Sequence, residues 1–427
     1  MHNPAPASLD LSTTDREMLE GLHGPAARMA MRMLVRMAHI WGARELLDIS
    51  QAHIDSTIYI GEATLEYAER LAQLGARVRV PTTLNVSGVD EHHWQEWATP
   101  AGWARNAARQ MAAYQGMGCQ PTWTCAPYQV APRPRLGEQI AWGESSAIVF
   151  ANSVLGARTE RYPDLLDICC AITGRAPAAG LHLEHRRAGQ ILLVLQDIPA
   201  SLQQSDSFYP VLGFILGRLA LDRIPVLDGF SIKPGEDQLK ALGAAAASSG
   251  GVALYHIVGI TPEAPDRQAA FQGNLPQKIY PVTLEDLRQS WRALNTADGE
   301  DLDLVVLGSP HFSLAEFQRL APLLHGKQRH PSTRFLVTSS RAVVHLAEKA
   351  GLLEDLRSFG GQITVDTCIL AAPMLPPEIR RLMTNSGKFA YYSPGLLGTQ
   401  VVYGSLEECV LSAQAGRVAR QEAVWQG

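Results

Sequence analysis

The stretch DLDLVVLGSPHFSLAEF, residues 301–317, decides the fold. An apolar run, DLDLVVL, stops at Gly308. A polar tip follows, Ser309-Pro310-His311, and a helix is expected to start near Ser313, a good N-cap residue. The same unit recurs along the second half of the chain. FYPVLGFILGRLA (208–220) reads as a helix, IPVLDG (224–229) as a strand end and EDQLKALGAAAASSG (236–250) as a helix. GVALYHIVG (251–259) reads as a strand and VTLEDLRQSWRAL (282–294) as a helix. RFLVTSS (334–340) and GQITVDTC (361–368) are further strands, each followed by a helical stretch. Strands alternating with helices imply an α/β protein with largely parallel sheets and helices on both faces.

Outward from there, the N-terminal half is less regular. Residues 13–43 read as one long helix, with N-cap oxygens at Thr13, Thr14 and Asp15 and an apolar stripe through Met18, Leu22, Met29, Met33 and Met37. ARELLDIS (43–50) reads as a strand, EATLEYAERLAQLG (62–75) as a helix closed by Gly75 and RVRVP (77–81) as a strand ended by Pro81. TTLNVSG (82–88) then reads as a loop, and residues 101–116 as a helix. ESSAIVFANSVLGA (144–157) has the character of a buried helix, YPDLLDICCAITGR (162–175) is a helix stopped by Gly174, and ILLVLQDI (191–198) is a buried strand. Two regions are expected: residues 1–200, and residues 201–427, the latter open to further division.

Composition removes several classes. Of 427 residues, 46% are hydrophobic and 19% charged, enough for a large core. The formal net charge of −5 makes nucleic acid an unexpected partner. No apolar run reaches the ~18–20 residues of a membrane span. The start, MHNPAPASLDLSTTDREM, is polar and Pro-containing rather than signal-like, so a cytoplasmic location is expected. Six cysteines in so long a chain do not form a disulfide framework.

In parallel sheets, ligands sit at the carboxyl ends of strands. The expected tips carry His53 and Asp55, then Thr82, Thr83 and Asn85, then Ser309 and His311, then Ser339, Ser340 and Arg341, then Cys368. Several polar tips on apolar strands suggest one shared cleft. Ser313 and Ser339 read as helix caps. Glu144 reads as a helix-start carboxylate, and His92 and His93 as solvated. There is no phosphate loop, HExxH or CxxC pair. Cys169, Cys170 and Cys409 lie in apolar helices and read as core. Cys125 and Cys368 remain, in a turn and at a strand tip, where a thiolate can reach a metal.

Several blocks resemble the catalytic large subunit of the aconitase X family. They are SQAHIDSTIYIGEATLEYAERLAQLGARVRVPTTLNV, TCAPY (124–128), WGESSAIVFANSVLGART (142–159), AITGRAPAAGLH (171–182), GSPHFSLAEF, VDTC and TNSGKFAYYSPG (384–395). HID, TCAPY and NSVLGART fall in the first region, and GSPH, VDTC and NSGK in the second. The resemblance implies the three-domain α/β/α architecture of aconitase, without its swivelling fourth domain, which would come as a small partner subunit.

It also implies an iron-dependent hydro-lyase acting on a small hydroxy acid. One group in the family dehydrates cis-3-hydroxy-L-proline to Δ1-pyrroline-2-carboxylate, and another dehydrates mevalonate 5-phosphate. The latter resembles GCPH at the tip where this chain has Ser309. The implied metal positions are Cys125, Ser309 and Cys368. A serine is a poor thiolate replacement. A [2Fe–2S] cluster or a single iron is therefore expected rather than a three-cysteine [4Fe–4S] site, and the hydroxyproline group is favoured.

The same resemblance suggests site roles. His53 and Asp55 would form an acid/base or orienting pair. Thr82, Asn85, Asn152, Ser153, Arg158, Thr159 and His311 would bind substrate, Arg158 its carboxylate. Lys388 would bind the carboxylate or act as base, unless the base lies on the partner. From other classes, a zinc-dependent hydrolase using His53, Asp55 and His311, or a non-catalytic binding protein, are the competing readings.

Overall fold

The computed structural model describes residues 9–421 and 423–425, so residues 1–8 of the polar lead lie outside the described residues. Three parallel sheets organise the chain. The first has the order Thr82–Leu84, Ala52–Ile54, Ala141–Trp142. The second has His256–Ile257, Pro225–Asp228, Ile191–Leu195, Lys278–Val282. The third has Gln362–Thr364, Arg334–Thr338, Leu304–Leu307, Arg381–Thr384, Gln400–Tyr403. Leu304–Leu307 is buried along its whole length, as a central parallel strand with helices on both faces must be. This is the expected α/β architecture.

The differences are local and have physical causes. Residues 13–43 form two helices, Thr13–Glu20 and Pro25–Trp41. Gly21 takes φ 92° and closes the first, and Pro25 opens the second, where its missing N–H is harmless. RVRVP is not a strand. Pro81 instead precedes the strand Thr82–Leu84, whose partner is Ala52–Ile54. ARELLDIS supplies only Leu46–Asp48, paired antiparallel with Arg175–Pro177 on a separate two-stranded sheet. The helix expected over 144–157 is α-helical over Ser145–Phe150 and then widens to a π turn, Ala151–Leu155.

The first and third sheets meet at the carboxyl ends of their strands. Ser87 donates its N–H to the Asp366 carbonyl at 2.7 Å. Asp90 accepts from Thr364 Oγ1 and from Val365 N–H, both at 3.1 Å. The strand tips of both sheets therefore border one volume.

Candidate active site

The tip of Leu304–Leu307 is shaped by Gly308. Its φ is +94°, and a Cβ there would lie 2.1 Å from the Thr338 carbonyl oxygen. Only glycine lets the chain turn this close to the neighbouring strand. Ser386 donates to the Ser309 carbonyl, and Phe312 N–H donates to Thr338 O at 2.9 Å. Ser313 caps the helix Leu314–Leu324 in a capping box with Glu316, as read from sequence. Ser339 is not a cap. It donates to Phe312 O at 2.7 Å, and Ser340 caps Arg341–Lys349 instead.

This tip opens onto a cavity of about 220 Å³ between the two sheets. Asp55, Asn85 and Glu144, from the three tips of the first sheet, line one side. Ser309, His311, Thr367, Cys368 and Lys388 line the other, and Cys125 joins them from the loop before Pro127–Gln129. An apolar wall of Ile58, Val86, Ile369, Leu370, Phe389 and Tyr392 completes it. His311 donates its backbone N–H to Cys125 Sγ at 3.3 Å. The buried atoms Asn85 Oδ1 and Thr367 Oγ1 have no hydrogen-bond partner, so two lining residues hold polar capacity in reserve for a ligand.

Charge is sorted across this cavity. Burial pushes the Asp55 carboxyl up to about 8, helped by the negative charges of Glu144 and Asp167. Burial would also raise Glu144, but the Lys388 ammonium outweighs it and holds Glu144 below its ordinary value. Burial opposes the charge on Lys388, yet Glu144 keeps it protonated well above the usual lysine range. Burial pushes the Cys125 thiol up to about 12 and raises Cys368 as well. Two carboxyls at adjacent strand tips thus occupy opposite protonation states near neutral pH, the pattern that separates an acid from an ionised partner.

Glu144 is the functional candidate the sequence understated. It does cap its helix, but its second oxygen pairs with Lys388 Nζ at 2.8 Å. The signal available was its place directly after a strand, two residues beyond Trp142.

Other expected site residues lie elsewhere. His53 is fully buried behind the cavity, its Nδ1 on Thr83 Oγ1 at 2.9 Å, so it does not pair with Asp55. Thr82 donates to Val80 O at 2.8 Å. Asn152 bridges Thr159 O, Ala253 O and Arg187, and Ser153 accepts from Tyr255 N–H. Thr159 bonds the Trp142 backbone, and Arg158 pairs with Glu184. These five bind the fold together rather than line the cavity. Arg341 is likewise engaged, with Asp366 and Glu91. His311 lines the cavity, but both ring nitrogens are taken, by Thr124 Oγ1 at 3.0 Å and Thr367 O at 3.2 Å. A zinc site of His53, Asp55 and His311 is therefore not assembled.

Two thiols and the Ser309 residue border the same cavity, and one sulfur already receives a backbone N–H, as thiolate ligands of iron commonly do. Among the described residues no group of three or more His, Cys, Asp or Glu side chains is arranged to hold a metal ion. Cys125 and Cys368 are the two cysteines among the described residues lining the cavity, so two thiols and the Ser309 hydroxyl are the donors this chain offers there.

Two thiols, a buried carboxyl and a paired ammonium around one cavity between two parallel sheets make up an enzyme-like site in an α/β fold. Comparison with known proteins then specifies it. Residues 8–185, 189–292 and 302–415 match the models of the first, second and third domains of aconitase X. The chain belongs to the aconitase X family.

It is 49% identical over 418 residues to a cis-3-hydroxy-L-proline dehydratase of Pseudomonas aeruginosa, covering 97% of this chain and 72% of that one. It is 45% identical to one of Hypocrea jecorina, covering 96% and 69%. A phosphomevalonate dehydratase large subunit of Methanothermobacter thermautotrophicus is 38% identical, covering 92% and 96%. The crystal structure of Thermococcus kodakaraensis aconitase X in its holo-form superposes with a TM-score of 0.86 at 33% identity, covering 95% of this chain and all of that one.

Proposed function

We propose that this chain is the large subunit of a hydro-lyase that dehydrates cis-3-hydroxy-L-proline to Δ1-pyrroline-2-carboxylate. One observation carries the choice of substrate within the family. Among the described residues lining the cavity, Lys388 is the single lysine or arginine, and Glu144 already neutralises it. One such ammonium suits a monoanionic carboxylate. A phosphate substrate calls for more positive charge than this cavity supplies. The two hydroxyproline dehydratases named above, at 49% and 45% identity, point the same way.

The reaction removes the Cα proton and breaks the C3–O bond, releasing water. The C2=C3 enamine then tautomerises to the cyclic imine. In this reading Cys125 and Cys368, with Ser309 beside them, would hold the iron centre, a [2Fe–2S] cluster or a mononuclear iron. When bound, it would supply Lewis acidity toward the leaving hydroxyl. Asp55, neutral near pH 7 and fixed by Asn85 Nδ2, donates the proton that leaves with the hydroxyl. Lys388 holds the carboxylate. Ile58, Val86 and Phe389 pack the ring methylenes and keep water away.

The base is assigned to the small partner subunit. On this chain Lys388 is charged, Asp55 is protonated, Glu144 is bound to Lys388, and the His311 ring is fully bonded. The large-subunit names of relatives covered almost end to end support a two-chain assembly. No helix of the described residues is long and apolar enough to cross a membrane.

The test is turnover by the iron-loaded chain with its partner, offered cis-3-hydroxy-L-proline and mevalonate 5-phosphate in parallel. Imine from the first alone is expected. Turnover of the second alone would replace the substrate assigned here.

A further inference from the structure

Glu144 and Ser146 belong to the start of one short helix, Ser145–Phe150, and both reach Lys388. Glu144 divides its two oxygens. Oε2 accepts the Ala147 N–H at 2.6 Å and Oε1 accepts from Lys388 Nζ at 2.8 Å. Ser146 Oγ lies 2.8 Å from the same nitrogen. Glu144 is 4% exposed and Ser146 2%, so neither contact is a surface accident. Lys388 comes from across the cavity, on the helix Gly387–Leu396 that follows a strand of the third sheet. An ammonium has three hydrogens. Two are directed at Glu144 and Ser146, and the third remains for the cavity that Lys388 lines.

We propose that Glu144 and Ser146 are positioning residues that clamp two hydrogens of the Lys388 ammonium and aim the third at the carboxylate of the substrate. The proposal deepens the functional reading above and rests on it for the identity of the substrate. It also gives the Glu144 carboxylate a second duty. Burial alone disfavours the charged form of Lys388. A lysine fixed between a carboxylate and a hydroxyl is a cation of set direction. Selection of a carboxylate is then a property of three residues on two facing helices, and not of Lys388 alone.

The competing explanation is that Glu144 is only a helix cap. E144S separates the two, because serine is a good N-cap but is too short to reach Lys388. The measurement is calorimetric binding to the iron-loaded chain with its partner. The probes are L-proline against L-prolinamide, and mevalonate against its neutral lactone. The readout is the ratio of affinities within each pair, which a merely structural loss would not change.

Wild type is expected to prefer L-proline over the amide by about tenfold or more, the worth of one charge-assisted hydrogen bond. E144S and K388M should abolish the preference, and S146A should reduce it while S146T restores it. An unchanged preference in E144S would overturn the proposal and leave Glu144 a cap. A Glu144-dependent preference for mevalonate, with none for proline, would uphold the clamp and refute the substrate assigned. No preference in either pair for wild type would overturn the clamp itself.

Discussion

The backbone N–H of His311 points at the sulfur of Cys125, 3.3 Å away, although the two residues sit on loops 186 positions apart. The contact joins the GSPH tip of the third sheet to the TCAPY loop beside the first. The His311 ring reinforces it, bonded to Thr124 Oγ1 and Thr367 O. Replacing His311 with alanine takes the donor from Thr367 O, leaves Thr124 Oγ1 with only the Ala126 N–H, and opens a cavity. H311A should lose about 2–4 kcal/mol of stability and most of its bound iron. Denaturant unfolding and iron analysis check this, and a normal iron content would show that the ring does not hold the Cys125 loop.

Gly308 makes the tip possible. G308A would require a left-handed alanine and would press its Cβ on the Thr338 carbonyl. The expected loss is about 3 kcal/mol or more, with displacement of Ser309. A thermal midpoint within a degree or two of wild type would contradict the close approach.

Ser309 borders the cavity together with Cys125 and Cys368. S309C should add a third thiolate to the cavity. The expected result is a higher ratio of iron and sulfide per chain and a changed visible spectrum after anaerobic reconstitution. An unchanged spectrum would mean that residue 309 does not face the centre.

Asn152 separates structure from binding. Its amide ties Thr159 to Ala253 and takes a bond from buried Arg187. N152A should destabilise by about 2–4 kcal/mol through unsatisfied buried groups, yet leave KM of the folded enzyme near wild type. A tenfold rise in KM at unchanged stability would return Asn152 to the substrate.

Stability should fall on the acid side. Burial lowers His182 to about 3, and His53 and His311 to about 4, all below the unfolded value of 6.5. Each is neutral in the fold, so the unfolded chain takes up the extra protons. Their stabilising contribution is fully present above pH 6.5 and is lost as pH falls toward 4 and 3. Each proton adds a slope of about 1.4 kcal/mol per pH unit in that window. H182Q should flatten the pH dependence of unfolding by about one proton between pH 6 and 4. An unaltered slope would show that His182 is not held neutral.

Much of this was legible from residues. Apolar runs ending in polar tips marked the third sheet, because strands buried on both faces show no alternation to confuse them. The tips of DLVVLG and ITVD bring Ser309, His311 and Cys368 to the same cavity as Asp55 and Cys125. What was not legible depends on long-range pairing. RVRV alternates like a strand, yet Thr82–Leu84 is the segment that finds Ala52–Ile54 as its partner. NSVLGART looks like a ligand loop, but Asn152 and Thr159 bond each other and Asn152 also accepts from Arg187, which no local pattern foretells. Glu144 had a sufficient local explanation as a cap, and only the arrival of Lys388, 244 residues later, gives it another.

In the proposed function Cys125 and Cys368, in the cavity between the first and third sheets, would hold the iron centre that the dehydration needs. The most direct test is iron content together with imine formation from cis-3-hydroxy-L-proline, for wild type, C125A and C368A, each purified anaerobically with the partner subunit. Loss of iron and of turnover together in both variants is the expected result, with circular dichroism like wild type. Full iron and full turnover in either variant would contradict the assignment of that thiol, and in both would contradict the site.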